Sequence, residues 1–217
     1  SRAGLYVDRM SFNVELPSEK SLRLLAPQKS KEGVLLPMKQ LALEKAAVKE
    51  EKAKHRKMFL PAGQTTQLIV GASPESDGQI LKLSEAMYRR FSLKRVYYSS
   101  YIPVVKHSLL PDKCAGLLRE HRLYQADWLM RFYGFSAEEI AGEGENLPEE
   151  YDPKCAWALK NMQFFPVEVN KAPVEALLRV PGIGTLGAYK IIKARKYAAL
   201  DFDDLAKMRI VLKRARH

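Results

Sequence analysis

Two glycines and two lysines in the stretch LLRVPGIGTLGAYKIIKAR, Leu177 to Arg195, are spaced to hold an anion. Gly182 and Gly184 carry no Cβ, so the chain can turn sharply there and bring backbone N–H groups close to a ligand. Leu177, Leu178 and Val180 end one amphipathic run, Pro181 and Gly182 stop it, and Ala188, Ile191 and Ile192 resume helical spacing. The amides that open the second helix have no intrahelical acceptor and carry the positive end of the helix dipole, which stabilises a phosphate without any special side chain. Lys190, Lys193, Arg195 and Lys196 surround that position with positive charge, and LKRARH at the end reads as a basic helix that packs on the hairpin or adds phosphate contacts. Val180, Gly182, Ile183, Gly184, Lys190 and Lys193 are the candidate nucleic-acid-binding residues; the other use of such a hairpin is packing or protein contact.

The stretch resembles the helix-hairpin-helix motif, which grips a nucleic-acid backbone without reading sequence. The resemblance extends upstream through VNKAPVEALL, with Pro173 in the first turn of a helix. Charge agrees. The chain has 36 Lys and Arg against 25 Asp and Glu, a net +11, and residues 170–217 carry 11 against 4, or +7 of it. Such a basic segment speeds encounter with a polyanion and makes binding salt-dependent. Cys114 and Cys155 lie far apart with no metal-ligand spacing, so they are expected to be small residues packed in helices. The four histidines are isolated in sequence. With no apolar run of about 20 residues and no signal peptide, a cytoplasmic protein without a membrane partner is expected.

The elements that must position the hairpin come before it. Met10, Phe12, Val14 and Leu16 alternate with Arg9, Ser11, Asn13 and Glu15, the period of a strand with one polar face, and Ser18 caps a short helix after it. Pro37 is expected to open a long helix that buries Met38, Leu41, Ala42 and Val48 and runs to about His55. QTTQLIVG then reads as a strand ending at Gly71, and SPESD caps a helix with Ile80, Leu83, Met87 and Phe91 inward. KRVYYSSYIPV is a third strand closed by Pro103. Strand, helix, strand, helix, strand implies an α/β fold with a parallel sheet. A polar strand face is unusual in such a sheet; it lines a wet interior or belongs to an edge strand. LLREHRLYQADWLMRFYGF reads as one helix with Leu117, Tyr124, Trp128 and Phe132 as its buried stripe, and Asp152 and Pro153 start another.

DRMSFNVELPSEKSLRLLAP, PAGQTTQLIVGASPESD, RVYYSSYIPV, the Leu117 helix, DPKCAWAL and FPVEVNKAPVEALLRVPGIG, in this order, resemble the DNA modification or repair radical SAM proteins found with uracil-DNA glycosylase-like proteins. The resemblance implies the carboxy-terminal half of a partial (β/α) barrel over residues 1–110, connecting helices over 111–165 and an all-α helix-hairpin-helix domain over 166–217. It implies a 4Fe-4S cluster held on a CxxxCxxC loop, together with S-adenosylmethionine. That loop is absent from this chain, so the cluster-binding half of the barrel is expected upstream of Ser1, and the chain alone should hold neither cofactor and do no chemistry. Ser11, Asn13 and Glu15 match positions that contact the ribose and methionine of the cofactor. Gln67, Ile69 and Gly71 match the family's GxIxG adenine site, with Gln67 in place of the first glycine. Tyr97, Tyr98, Ser99 and Ser100 end a strand near the expected substrate. The implied function is part of a radical SAM enzyme acting on nucleic acid, DNA more than RNA, with a uracil-DNA glycosylase-like protein as partner. The alternative is a non-catalytic nucleic-acid-binding adaptor.

Overall fold

Three short segments of the first hundred residues assemble into a parallel sheet of order β1-β2-β3. The computed structural model describes residues 2–50 and 59–216, with β1 at Arg9–Ser11, β2 at Gly63–Val70 and β3 at Arg95–Ser100. Around them run α1 (Glu19–Leu25), α2 (Lys31–Glu50), α3 (Asp77–Phe91) and α4 (Leu117–Phe132). α5 (Ala137–Ile140), α6 (Pro153–Lys160), α7 (Val174–Arg179), α8 (Thr185–Ala194), α9 (Phe202–Lys207) and α10 (Leu212–Ala215) follow. Among the described residues no helix is long and apolar enough to cross a membrane.

Period-2 alternation decides which side of the sheet is covered. Leu68 and Val70 of β2, with Val96 and Tyr98 of β3, bury against Ile80, Leu81 and Met87 of α3 and Leu123, Ala126 and Leu129 of α4. Gln64 on the same face donates to the Met38 carbonyl of α2 at 3.0 Å and the Phe91 carbonyl of α3 at 2.8 Å. On the other face α1 covers only one end, through Leu22 with Leu16 and Ala72, against which Ile69 and Tyr101 pack. α3 starts at a capping box of Ser76 and Gln79, as its sequence requires.

The free side of β3 is closed by side chains. The Val96 amide donates to the Tyr88 hydroxyl at 2.9 Å, the Tyr98 amide to the Tyr124 hydroxyl at 3.0 Å and the Ser100 amide to the Glu120 carboxylate at 2.8 Å. The Tyr124 hydroxyl donates in turn to the Tyr98 carbonyl. Among the described residues no strand pairs with the outer side of β1.

Four sequence expectations change. The first strand does not run unbroken to Leu16: β1 stops at Ser11, and pairing resumes only at Glu15, opposite Leu68. Four steps on β1 thus match three on β2, from Thr65 to Leu68, which is a bulge. The Thr66 hydroxyl bridges the gap, accepting from the Val14 amide and donating to the Phe12 carbonyl, and Glu15 takes a φ of 66°. Pro37 lies inside α2, because the Ser30 hydroxyl already accepts the Gly33 amide upstream and starts the helix earlier. The expected end near His55 lies outside the described residues.

The stripe of α4 is also rotated. Leu123, Ala126, Asp127 and Leu129 are its buried residues, while Leu117, Trp128 and Phe132 are exposed and Tyr124 is partly so. A charged residue takes the core position because Asp127 is fully partnered: the Tyr88 hydroxyl donates to it at 2.5 Å and Arg131 at 2.8 Å, with Tyr98 at 3.4 Å. Burial still raises the Asp127 carboxyl above its usual range. Cys155 lies on α6, but Cys114 is exposed in a loop, not packed in a helix.

A second core forms beyond residue 165, from Leu177, Val180, Ile183, Ala188, Ile191, Leu205 and Ile210. Arg179 of α7 joins it to the sheet region. Its guanidinium donates to the Tyr133 and Gly134 carbonyls just past α4, pairs with Glu139 at 2.8 Å and lies 3.8 Å from the centre of the Phe135 ring.

Candidate nucleic-acid interface

The Ile183 amide donates to the Val180 carbonyl at 3.1 Å and closes the turn between α7 and α8. Gly182 takes a φ of 90°, the left-handed region where a side chain is strained. Its bare Cα is used for packing: a Cβ there would come within 2.6 Å of the Val211 carbonyl oxygen and 3.2 Å of the Arg214 Cβ. Gly184 has an extended backbone and is the N-cap of α8 without a side-chain acceptor. Its carbonyl starts the helix by accepting from Ala188 at 2.8 Å. The amides of Thr185 to Gly187 are consequently left without a cap, with the helix dipole behind them.

These amides border a groove of about 600 Å³ that also includes Tyr133, Lys154, Lys190, Arg209 and Arg214. Lys154 is delivered by α6, whose start is set by Asp152 accepting from the Cys155 amide and by Pro153 at the first helical position. Only 8% of Lys154 is exposed. Its Nζ donates to the Ile183 carbonyl at 2.6 Å and lies 4.8 Å from the centre of the Tyr133 ring. Desolvation brings its ammonium down to about 7, against the attraction of Asp152 and helped by repulsion from Arg214 and Arg179. Arg214 of α10 pairs with Asp152 across the groove mouth.

The residues expected from the sequence are partly brought together here. Gly182, Ile183, Gly184 and Lys190 line the groove, with the Lys190 ammonium bonded to the Met208 carbonyl at 3.1 Å. Val180 is buried in the core beneath the turn. Lys193 lies outside the groove, in a shallow depression beside Tyr197. Arg195 is structural, donating to the Val169 and Ala172 carbonyls at 2.9 and 2.7 Å. Lys154, Tyr133 and Arg209 were not anticipated; they come from three separate segments, and no local spacing marks them. Arg214 comes from the basic LKRARH segment expected to pack on the hairpin or add phosphate contacts.

The six residues matched to cofactor binding lie in the sheet region. Ser11 and Gln67 are on the face away from α3, where Arg9 donates to the Tyr97 hydroxyl at 3.3 Å; Ser11 itself donates to Asn13 at 2.9 Å. Glu15 pairs with Lys29 at 2.8 Å. Ile69 packs under α1. A Cβ on Gly71 would lie 2.3 Å from the Ala115 Cβ, so the space that a bare glycine leaves is already filled by the chain after β3. That cradle does not fit an adenine. Two cysteines cannot supply the three thiolates of the cluster, and among the described residues no group of three or more His, Cys, Asp or Glu could hold a metal. Tyr98 and Ser100 are bound up with α3 and α4 rather than open to a substrate.

The two candidate regions lie at opposite ends of β3. Arg131 near the end of α4 donates to the Lys94 carbonyl before β3, and Glu120 near its start meets Ser100 at the far end. The hairpin docks just past α4, so it is about 24 Å, the length of that 16-residue helix at 1.5 Å per residue, from Gly71 and Ser100. No protein-family model, curated protein or solved structure matches the chain in these comparisons.

Proposed function

We propose that this chain binds the backbone of nucleic acid, without reading bases, in the groove at the start of α8. The carrying observation is the nearly buried Lys154 ammonium set beside the uncapped α8 amides: a charge kept out of water, whose attracting carboxylate, Asp152, is already paired with Arg214, is suited to meet a phosphate. One phosphate oxygen would accept from the amides while Lys154, Lys190 and Arg214 supply charge.

On the resemblance to radical SAM proteins, this binding would serve an enzyme that modifies or repairs DNA, whose cluster and S-adenosylmethionine would be held by residues other than those of this chain. The filled Gly71 cradle and the separation of hairpin from strand ends favour the adaptor reading for the chain itself. Fluorescence anisotropy with labelled DNA across a salt series tests the common element. Binding should be nearly independent of sequence and weaken steeply with salt. Gly184→Val, at a φ of −92° that valine tolerates, should keep the fold and lower affinity by about tenfold or more by blocking approach to the amides. Unchanged affinity in that folded variant would make the hairpin a structural joint.

A further inference from the structure

We propose that the cleft between α4 and α6 takes an unpaired nucleotide, so that the preferred ligand is single-stranded nucleic acid. The proposal rests on the backbone-binding reading and specifies the form of its substrate. The cleft, about 680 Å³, is of the size that holds one small-molecule ligand. Tyr133, Asp152, Lys154 and Arg214 line both it and the hairpin groove, so the two adjoin, and a strand gripped at α8 would reach it past the Asp152–Arg214 pair.

Charge and ring faces recur along that path. Arg95 pairs with no carboxylate among the described residues; its guanidinium lies 5.0 Å from the centre of the Tyr97 ring and 5.3 Å from that of Tyr124. Arg122 donates to Gln125 and to the Glu149 carbonyl, and its buried Nε has no partner. Trp128 is 52% exposed on the wall, its ring 4.3 Å from Phe132. A base in a duplex has both faces stacked on its neighbours and its edge paired. Only an unpaired base can lay a face on an indole or a guanidinium plane, and it does so without regard to sequence. An exposed tryptophan in a cleft that also holds Arg95 and Arg122, neither paired with a carboxylate among the described residues, and that adjoins a phosphate grip therefore discriminates by strandedness.

The test titrates the 217-residue chain with a short labelled oligothymidylate and with a labelled duplex of equal length, across a salt series. The single strand should bind about tenfold or more tightly, and should quench Trp128 while Trp157, buried against Phe135, is unaffected. Trp128→Ala should erase the preference and leave duplex binding unchanged; Trp128→Phe should retain it. Arg95→Gln, at an exposed position, should weaken the single strand by about one unit of salt slope and leave the duplex alone. Equal affinity for the two forms, or equal losses for both in Trp128→Ala, would overturn the cleft proposal alone. Absence of salt-dependent binding to either form would overturn the backbone reading and the cleft with it.

Discussion

Asp77 and Asp127 are fully buried in the sheet region, and an arginine answers each at 2.8 Å, Arg119 and Arg131. Lys154, almost as deeply enclosed beside the hairpin, is answered by a carbonyl and the face of a ring. In the first region these two buried charges are neutralised internally and lock helices to a sheet. In the second, the carboxylate that attracts Lys154, Asp152, is already paired with Arg214. Packing differs in the same sense. The sheet core closes around long elements, whereas α7 to α10 have 6, 10, 6 and 4 residues, below the roughly 12–15 at which a helix is marginally stable alone. They are held by their shared core and by bonds between loops, such as Asn170 with Leu200 in both directions and Arg195 with the segment before α7.

The comparison is most easily broken at Asp127. Asp127→Ala leaves Arg131 and Tyr88 without their carboxylate acceptor and should cost about 3–5 kcal/mol in equilibrium denaturation. A loss below about 1 kcal/mol would show that the buried network is dispensable. Gly182→Ala adds a left-handed alanine and a clash with Val211, and should cost about 2 kcal/mol or more. Hydrogen exchange should rise over residues 174–215 with little change in β2 and β3. Uniform loss of protection would mean that the two regions unfold as one.

Lys154 sharpens the contrast through pH. Its folded pKa of about 7 lies below the ordinary 10.5, so the unfolded chain holds the proton more tightly and stability should rise as pH increases through that window. A phosphate favours the charged form, so binding takes up a proton there and affinity should fall as pH rises from 7. Lys154→Met should flatten both profiles, and a binding curve with the same pH dependence in that variant would remove Lys154 from the site. The smallest effect is expected at Lys193, outside the groove. Lys193→Ala should remove about one unit of salt slope and leave the fold unchanged.

What was legible in the sequence was local. Ser18, Ser76 and Asp152 cap the helices they precede, the alternation around Leu68 marks a buried strand, and the PGIG turn separates two helices. The hairpin residues that reach the groove were legible too, because the turn alone positions them. Periodicity failed where a side chain from elsewhere changed the rule. The Thr66 hydroxyl permits the bulge that ends β1, and Tyr88 and Arg131 permit an aspartate in the buried stripe of α4, turning Trp128 outward. Lys154 was invisible as a site residue for the same reason, and Arg214, which the basic end of the chain did suggest, is 60 positions away and meets it beside Asp152.

The hydroxyls and carboxylate that saturate β3 have a consequence for assembly. A sheet exposes two rims, and each is a template on which another strand can be laid. Here one rim is already saturated by Tyr88, Tyr124 and Glu120, so growth is one-sided. Any strand added to this sheet must come in beside β1, and a unit that adds strands on one side only forms a pair and stops, instead of building an open-ended run.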